Sequence, residues 1–240
     1  MTEGAAAAGP AAHFCADTEE QLHGFWRACG LPERAWPGAI GLYRKYWHLI
    51  GARNAAAGLM GNVSGEDFCL KHVADSLAVL PAWPELLAGS RRLADVGCGA
   101  GLPGIVLAVA LPHLHLTAIE SDRKKAAFVA AAVEELGLAG RAEVVPRRGR
   151  ELGHDERFRG RFDTVTARAV APADKLIRDC RLLIAPGGSA LLYKTPAGVA
   201  GELAGCRREA RKHKLTVQTS AVIDLPGGAG RRQFLRVRAL

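Results

Sequence analysis

Aromatic residues are scarce, at 6% of the 240 residues. That thinness argues against a stacking platform for single-stranded nucleic acid, which needs successive ring faces. Metal-ligand spacing is missing as well. The six cysteines, Cys15, Cys29, Cys69, Cys98, Cys180 and Cys206, form no CxxC pair, and no metal site is expected. Residues Met1 to Ala12 carry Glu3 and no basic side chain, which leaves out the charged start of an export signal. The cysteines therefore read as reduced thiols of a cytoplasmic protein. The longest apolar run, Leu102 to Leu111, is too short to cross a bilayer, so no membrane partner is expected. No internal repeat is found.

Charge and apolar residues are plentiful. With 49% hydrophobic and 23% charged residues, the chain can bury a core and is not disordered throughout. Lys and Arg exceed Asp and Glu by 32 to 24, a net charge of +8. Such a balance favours a polyanionic partner; a solvated arginine-rich surface explains it equally well.

Residues 1–16 read as a low-complexity tail, 17–84 as a helical extension, and 85–240 as the main domain. Asp17-Thr18-Glu19-Glu20 opens a first helix. A second helix is expected over Pro37 to Leu49, followed by a loop from Gly51 to Gly65. Ser64, with Asp67 three residues on, caps a third helix that runs to Leu80. From Arg91 the pattern alternates. Strands are expected at 92–96, 114–119, 142–145, 162–166 and 190–193, with helices at 103–110, 123–136, 174–183 and 199–214. Two further strands, 216–223 and 233–239, flank the turn-rich Pro226 to Gly230. This predicts an α/β, doubly wound, mostly parallel sheet with one antiparallel hairpin at an edge.

The strongest signal is Asp95-Val96-Gly97-Cys98-Gly99-Ala100-Gly101-Leu102-Pro103-Gly104. It follows a predicted strand and opens a helix, and its glycines let backbone approach a ligand closely. A GxGxxG spacing alone is weak evidence for a dinucleotide site. A carboxylate at Asp95 would repel a pyrophosphate but attract the ammonium of S-adenosylmethionine, directly or through water. Glu120 ends the second strand, where a carboxylate can accept from both ribose hydroxyls. An ordinary strand–helix turn and a neighbour of a helix cap are the plainer readings of these two segments.

Three segments together are similar to one family. They are Asp95 to Ile105; Glu120-Ser121 with Lys124, Lys125 and Phe128; and Thr166-Ala167-Arg168-Ala169. They resemble RsmG, also called glucose-inhibited division protein B, the family of 16S rRNA guanine-N7 methyltransferases. Lys71-His72 with Asp75-Ser76-Leu77 looks like the family's helix leading into the domain. The similarity is clearest over residues 66–194. The resemblance implies a Rossmann-like methyltransferase domain preceded by helices, with S-adenosyl-L-methionine as cofactor. It also implies N7 methylation of a guanosine near the decoding region, in 16S rRNA or the small ribosomal subunit. Carried over by position, Gly97, Gly99, Gly101 and Leu102 belong to the cofactor loop, and Gly149 and Arg150 lie beside the adenine. Arg168 falls at the junction of cofactor and substrate, and His72, Asp75 and Ser76 face the same pocket. Lys194 matches a family lysine and joins Arg168 as a catalytic candidate, with His72 on the substrate side. Three departures stand out. Arg150 replaces a usual Glu, Thr195-Pro196 replaces a usual glycine, and the Asn-Leu-Thr stretch before the third helix is absent. A monomer is expected.

Guanine N7 carries a lone pair and no proton, so its methylation needs alignment rather than a base. No catalytic triad is present. Arg168 suits the guanine edge or a phosphate, unless it is held in a salt bridge to Asp163 or Asp174. Amino-group methylation would call for an Asn/Asp-Pro-Pro-aromatic motif, where this chain reads Ala167-Arg168-Ala169-Val170. Carbon-5 methylation needs a cysteine nucleophile; Cys98 reads as a small filler in the loop and Cys180 as core. Arginine clusters at 147–150, 157–161, 207–214 and 231–232 could form one phosphate-binding face, or be solvated arginines one by one. The alternatives are a small-molecule or protein methyltransferase of the same fold, a non-catalytic assembly module, and an NAD-dependent oxidoreductase.

Overall fold

The computed structural model describes residues 14–61 and 63–239. Three helical segments come first: α1 (Ala16–Ala28), α2 (Trp36–Ala57) and a broken helix α3 over residues 65–82. Strands and helices then alternate: β1 (Arg91–Val96), α4 (Gly104–Ala110), β2 (Leu114–Ile119), α5 (Arg123–Glu135) and β3 (Ala142–Val145). A single turn α6 (Gly149–Leu152) follows, then β4 (Phe162–Arg168), α7 (Ala173–Cys180), β5 (Ile184–Lys194) and α8 (Pro196–Lys212). The chain closes with β6 (Leu215–Thr219), β7 (Ile223–Asp224) and β8 (Arg231–Ala239).

The strands order as β3-β2-β1-β4-β5-β8-β6, with the short β7 paired to β8. The five central strands are parallel, while β8 runs antiparallel between β5 and β6. The fold class is therefore the expected one. Helices cover both faces, which is why β1 reads as an apolar run rather than an alternation: its last four residues are buried. On one face Trp26, Tyr43, Tyr46 and Phe68 share a core with Ile105, Leu107 and Leu116. On the other, Leu176, Ile177 and Val199 pack against Val165, Ala190 and Leu235.

Several boundaries differ from the sequence expectation. The expected tail, 1–16, mostly lies outside the described residues, but Phe14 is buried, stacks against Phe68 and lies tilted against Trp47. Helix α2 continues through Gly51 to Ala57, so the expected long loop shrinks to the residues after Gly58. One glycine costs a helix about 1 kcal/mol, and three alanines and the buried Ile50 outweigh it. The stop comes at Gly58, at φ +57°, whose amide donates to the Asn54 carbonyl at 2.8 Å. Ser64 caps α3 as expected, accepting from the Asp67 amide. Strand β4 extends to Arg168, and the expected strand 216–223 is split into β6 and β7. The turn α6 was not foreseen.

Candidate functional site

In a doubly wound sheet, ligands bind beyond the carboxyl ends of the strands. There the glycine loop leaves β1, Glu120 follows β2, Gly149 and Arg150 follow β3, and Arg168 ends β4. Because β8 runs antiparallel, Gln233 pairs with Lys194 and brings Arg231 and Arg232 to the same end.

Two cavities lie there. The first, of about 270 Å³, is lined by Gly97, Ser121, Arg148, Gly149, Arg150 and Val170, among others. Above Gly99 (φ +57°) a side chain would meet open space, so the loop leaves room over its backbone. Glu120 is 9% exposed and accepts from the Gly99 amide at 2.9 Å and the Asp122 amide at 2.8 Å. The carboxylate thus shapes the loop and sits beside the crevice. Leu102, in contrast, points into the core.

Asp95 does not face a ligand, contrary to the electrostatic expectation. It is fully buried. One oxygen accepts from the Gly104 amide at 2.8 Å and the other from the Thr166 hydroxyl at 2.9 Å. Burial raises its pKa to about 6, against the pull of those two donors. Asp95 therefore ties the glycine loop to β4, and its charge reaches a ligand only through that loop. A Cβ on Gly104 would lie 2.8 Å from the same carboxylate, which is why a glycine stands there.

The second cavity, of about 500 Å³, opens between α3, β4, β5 and β8. It brings His72, Asp75, Arg168 and Lys194 together, as the resemblance implied. Residues Phe68–Val73 are wound as a π-helix, a rare feature concentrated at functional sites, and they carry Lys71 and His72 to its rim. Arg168 donates to Asp75 at 3.0 Å and lies 3.1 Å from His72 Nδ1. The salt bridge weighed for Arg168 therefore exists, but to Asp75 rather than Asp163 or Asp174. Arg232 donates to the other Asp75 oxygen, leaving a buried carboxylate between two guanidiniums. Burial and the adjacent Arg168 lower the His72 pKa to about 4, so its ring is neutral at physiological pH. Asp75 lines this cavity and not the glycine crevice, and the fully buried Ser76 donates to the His72 carbonyl at 2.7 Å.

Between the cavities runs the segment from Ala169 to Pro172. Ala169 adopts φ +57°, and Val170, 43% exposed, lies across Gly97: a Cβ on that glycine would come within 2.7 Å of it. Lys194 donates to the Ala171 carbonyl at 2.9 Å and pairs with Glu202 at 2.8 Å. Glu202 in turn accepts from the Ala173 amide at 2.6 Å. Lys194 is thus part of a clamp on this segment. Thr195 and Pro196, a departure from the family pattern, cap and open α8: the Thr195 hydroxyl accepts from the Gly198 amide.

Sequence reading missed Tyr46, Val170 and Glu202, and it gave Arg232 only as one of a basic cluster. Tyr46 lies on α2 and donates to the Ala100 carbonyl inside the glycine loop, and Tyr43 donates to Val106 at 3.1 Å. No local motif marks these residues; only the fold brings them in. Burial pushes the Cys98 and Cys180 thiols well above their usual range, which removes them as nucleophiles. The arginine clusters do not share one face. Those at 147–150 and 231–232 border the site, whereas α8 starts beside the site and carries its arginines away from it. Among the described residues no group of His, Cys, Asp or Glu is poised for a metal, and no helix is long and apolar enough to cross a membrane.

Comparison with known proteins gives a family and a fold. The rRNA small subunit methyltransferase G family, GidB, matches residues 40–230. The ribosomal RNA small subunit methyltransferase G of Parasynechococcus marenigrum (strain WH8102) is 34% identical over 89% of this chain and 85% of its own length. That of Solibacter usitatus (strain Ellin6076) is 36% identical over 87% of this chain and 93% of its own. Among solved structures, the O-methyltransferase from Bacillus cereus in complex with SAH superposes with a TM-score of 0.55. It is 18% identical, over 81% of this chain and 90% of that one, and so shows the shared fold.

Proposed function

The chain belongs to the rRNA small subunit methyltransferase G family, and on that premise we propose that it methylates N7 of a guanosine in 16S rRNA with S-adenosyl-L-methionine. The observation that carries this reading is the meeting of two cavities across one strand end: a glycine-lined crevice on one side of Ala169 and an arginine-lined cavity on the other. Family membership favours RNA over the small-molecule or protein acceptor. It also disfavours the dinucleotide oxidoreductase and the non-catalytic module.

The crevice fits the cofactor. Its walls include backbone at Gly149 and Arg150 for an adenine, and next to it lie the open space over Gly99 and the Glu120 carboxylate for ribose hydroxyls. S-adenosyl-L-methionine, when bound, supplies a methyl group made electrophilic by its sulfonium. Gly97, Gly99 and Gly101 let the backbone follow the ligand, and Asp95 holds that loop in place from beneath. The side chains of the second cavity position the base. Arg168 offers planar donors to the guanine edge or a flanking phosphate, and its partners Asp75 and Ser76 fix its plane. Neutral His72 adds no charge near a ring that becomes cationic on methylation. Lys194 acts through the segment it holds, which separates the two cavities. No residue is required to remove a proton from N7.

The test is to incubate the protein with methyl-labelled cofactor and 30S particles, naked 16S rRNA, protein or metabolite extracts. Label in 16S rRNA is expected. Label confined to metabolites or proteins overturns the reading.

A further inference from the structure

The arginines at 157–161 take no part in the site described above. Two of them, Arg157 and Arg161, border another cavity, of about 350 Å³, whose walls are the first residues of β1, β2 and β3 and the approach to β4. In a parallel sheet these are the ends opposite Gly97 and Arg168. The six residues of β1 set the two ends about 20 Å apart.

Four arginines, Arg92, Arg141, Arg157 and Arg161, line this cavity together with one carboxylate, Glu143. Two of them already have partners. Arg141 donates to the carbonyls of Ala108, Leu111 and Leu114 and closes the end of α4. Arg157 pairs with Glu143 at 2.6 Å and lies over the Phe158 ring at 4.9 Å. The other two differ. Arg92 uses only its backbone amide, on Asp163, and Arg161 only its own amide, on Phe158 and Leu183. Among the described residues neither exposed guanidinium has a hydrogen bond or an ion pair. Two unpartnered guanidiniums on one cavity give it a positive potential, which favours an anion there.

The position of the cavity names the anion. β3 is an open edge of the sheet. Arg147 and Arg148 stand at its carboxyl end, where they line the glycine crevice. Arg141 stands just before its amino end, beside Arg157 and Arg161. Basic groups thus mark both ends of an exposed edge that leads away from the site, the spacing an extended polyanion would follow.

We propose that this cavity is a second phosphate-binding site, which takes the sugar-phosphate backbone of the RNA substrate where it wraps the β3 edge. The proposal rests on the RNA reading above. Its test is the double variant Arg92→Glu/Arg161→Glu, beside a control with the same charge change on α8, Arg207→Glu/Arg208→Glu. Methylation kinetics, retention of a labelled 16S rRNA fragment on filters across a salt series, and calorimetric cofactor affinity are measured for each. The cavity variant is expected to raise KM for RNA about tenfold or more and to reduce the salt slope by about two, with kcat at saturating RNA and cofactor affinity unchanged. Arg92→Lys/Arg161→Lys restores most of the loss. An unchanged KM and salt slope overturns the site, and so does an equal rise in the control. If the wild-type protein methylates no RNA, the functional reading fails by itself. Filter retention then judges the cavity alone, and equal retention by wild type and cavity variant rejects it.

Discussion

Arg168 and Asp75 form a charge pair that is both structural and poised for chemistry. Removing one partner from a buried pair is usually severe because the other charge is left bare. Here Asp75 keeps Arg232, so Arg168→Ala should lower stability by no more than about 3 kcal/mol in urea titration. Methyl transfer should fall by at least about 100-fold, because the base loses its positioning donors. Arg168→Lys should not restore it, since one ammonium cannot span Asp75, Ser76 and His72. Near-normal turnover by either variant would remove Arg168 from the account. Asp95 separates two physical ideas in the same way. Asp95→Ala leaves the Gly104 amide without an acceptor and should cost about 1–3 kcal/mol, with weaker cofactor binding. Asp95→Asn keeps that acceptor and should bind cofactor within a few-fold of wild type. If the asparagine variant loses binding as fully as the alanine one, the negative charge acts on the cofactor directly, and the loop-holding role is wrong.

At the scale of elements, the segment after β4 is held from its far side. Glu202 on α8 grips Lys194 and the Ala173 amide, and Lys194 grips the Ala171 carbonyl. Glu202→Ala should free residues 169–173, seen as faster amide exchange there, and raise KM for the cofactor several-fold. Unaltered exchange in that segment would show that the clamp holds nothing. Elements also show what the sequence made legible. The central strands could be read because a parallel sheet buried on both faces leaves continuous apolar runs, and the β1 loop because its glycines have no other use. The end of α2 could not. Gly51, Gly58 and Gly61 look alike in sequence, and the helix ends at the one where Asn54 accepts from the amides of Gly58, Leu59 and Met60. Val170 and Glu202 belong to no motif, and the basic cluster that holds Arg232 does not show its pairing with Asp75; each acquires a role by lying beside something distant in the chain.

For the whole molecule, the N-terminal helices are part of the site's foundation. Tyr43 and Tyr46 of α2 hold α4 and the glycine loop from the core side, so the layer that precedes the sheet sets the geometry of the crevice. Charge is also divided by position. Basic groups border the site and the β3 edge, which the total of +8 could not reveal. The chemistry assigned to this whole assembly, alkylation of a ring nitrogen without a base, leaves a distinctive product. N7 methylation gives the purine ring a positive charge and makes its glycosidic bond labile. The decisive measurement is therefore to treat 30S particles with the protein and S-adenosyl-L-methionine, reduce the RNA with borohydride, and cleave with aniline. One new strand break in 16S rRNA, at a guanosine and dependent on both enzyme and cofactor, is the predicted result. Methylated RNA that resists cleavage, with the label on another atom, would contradict it.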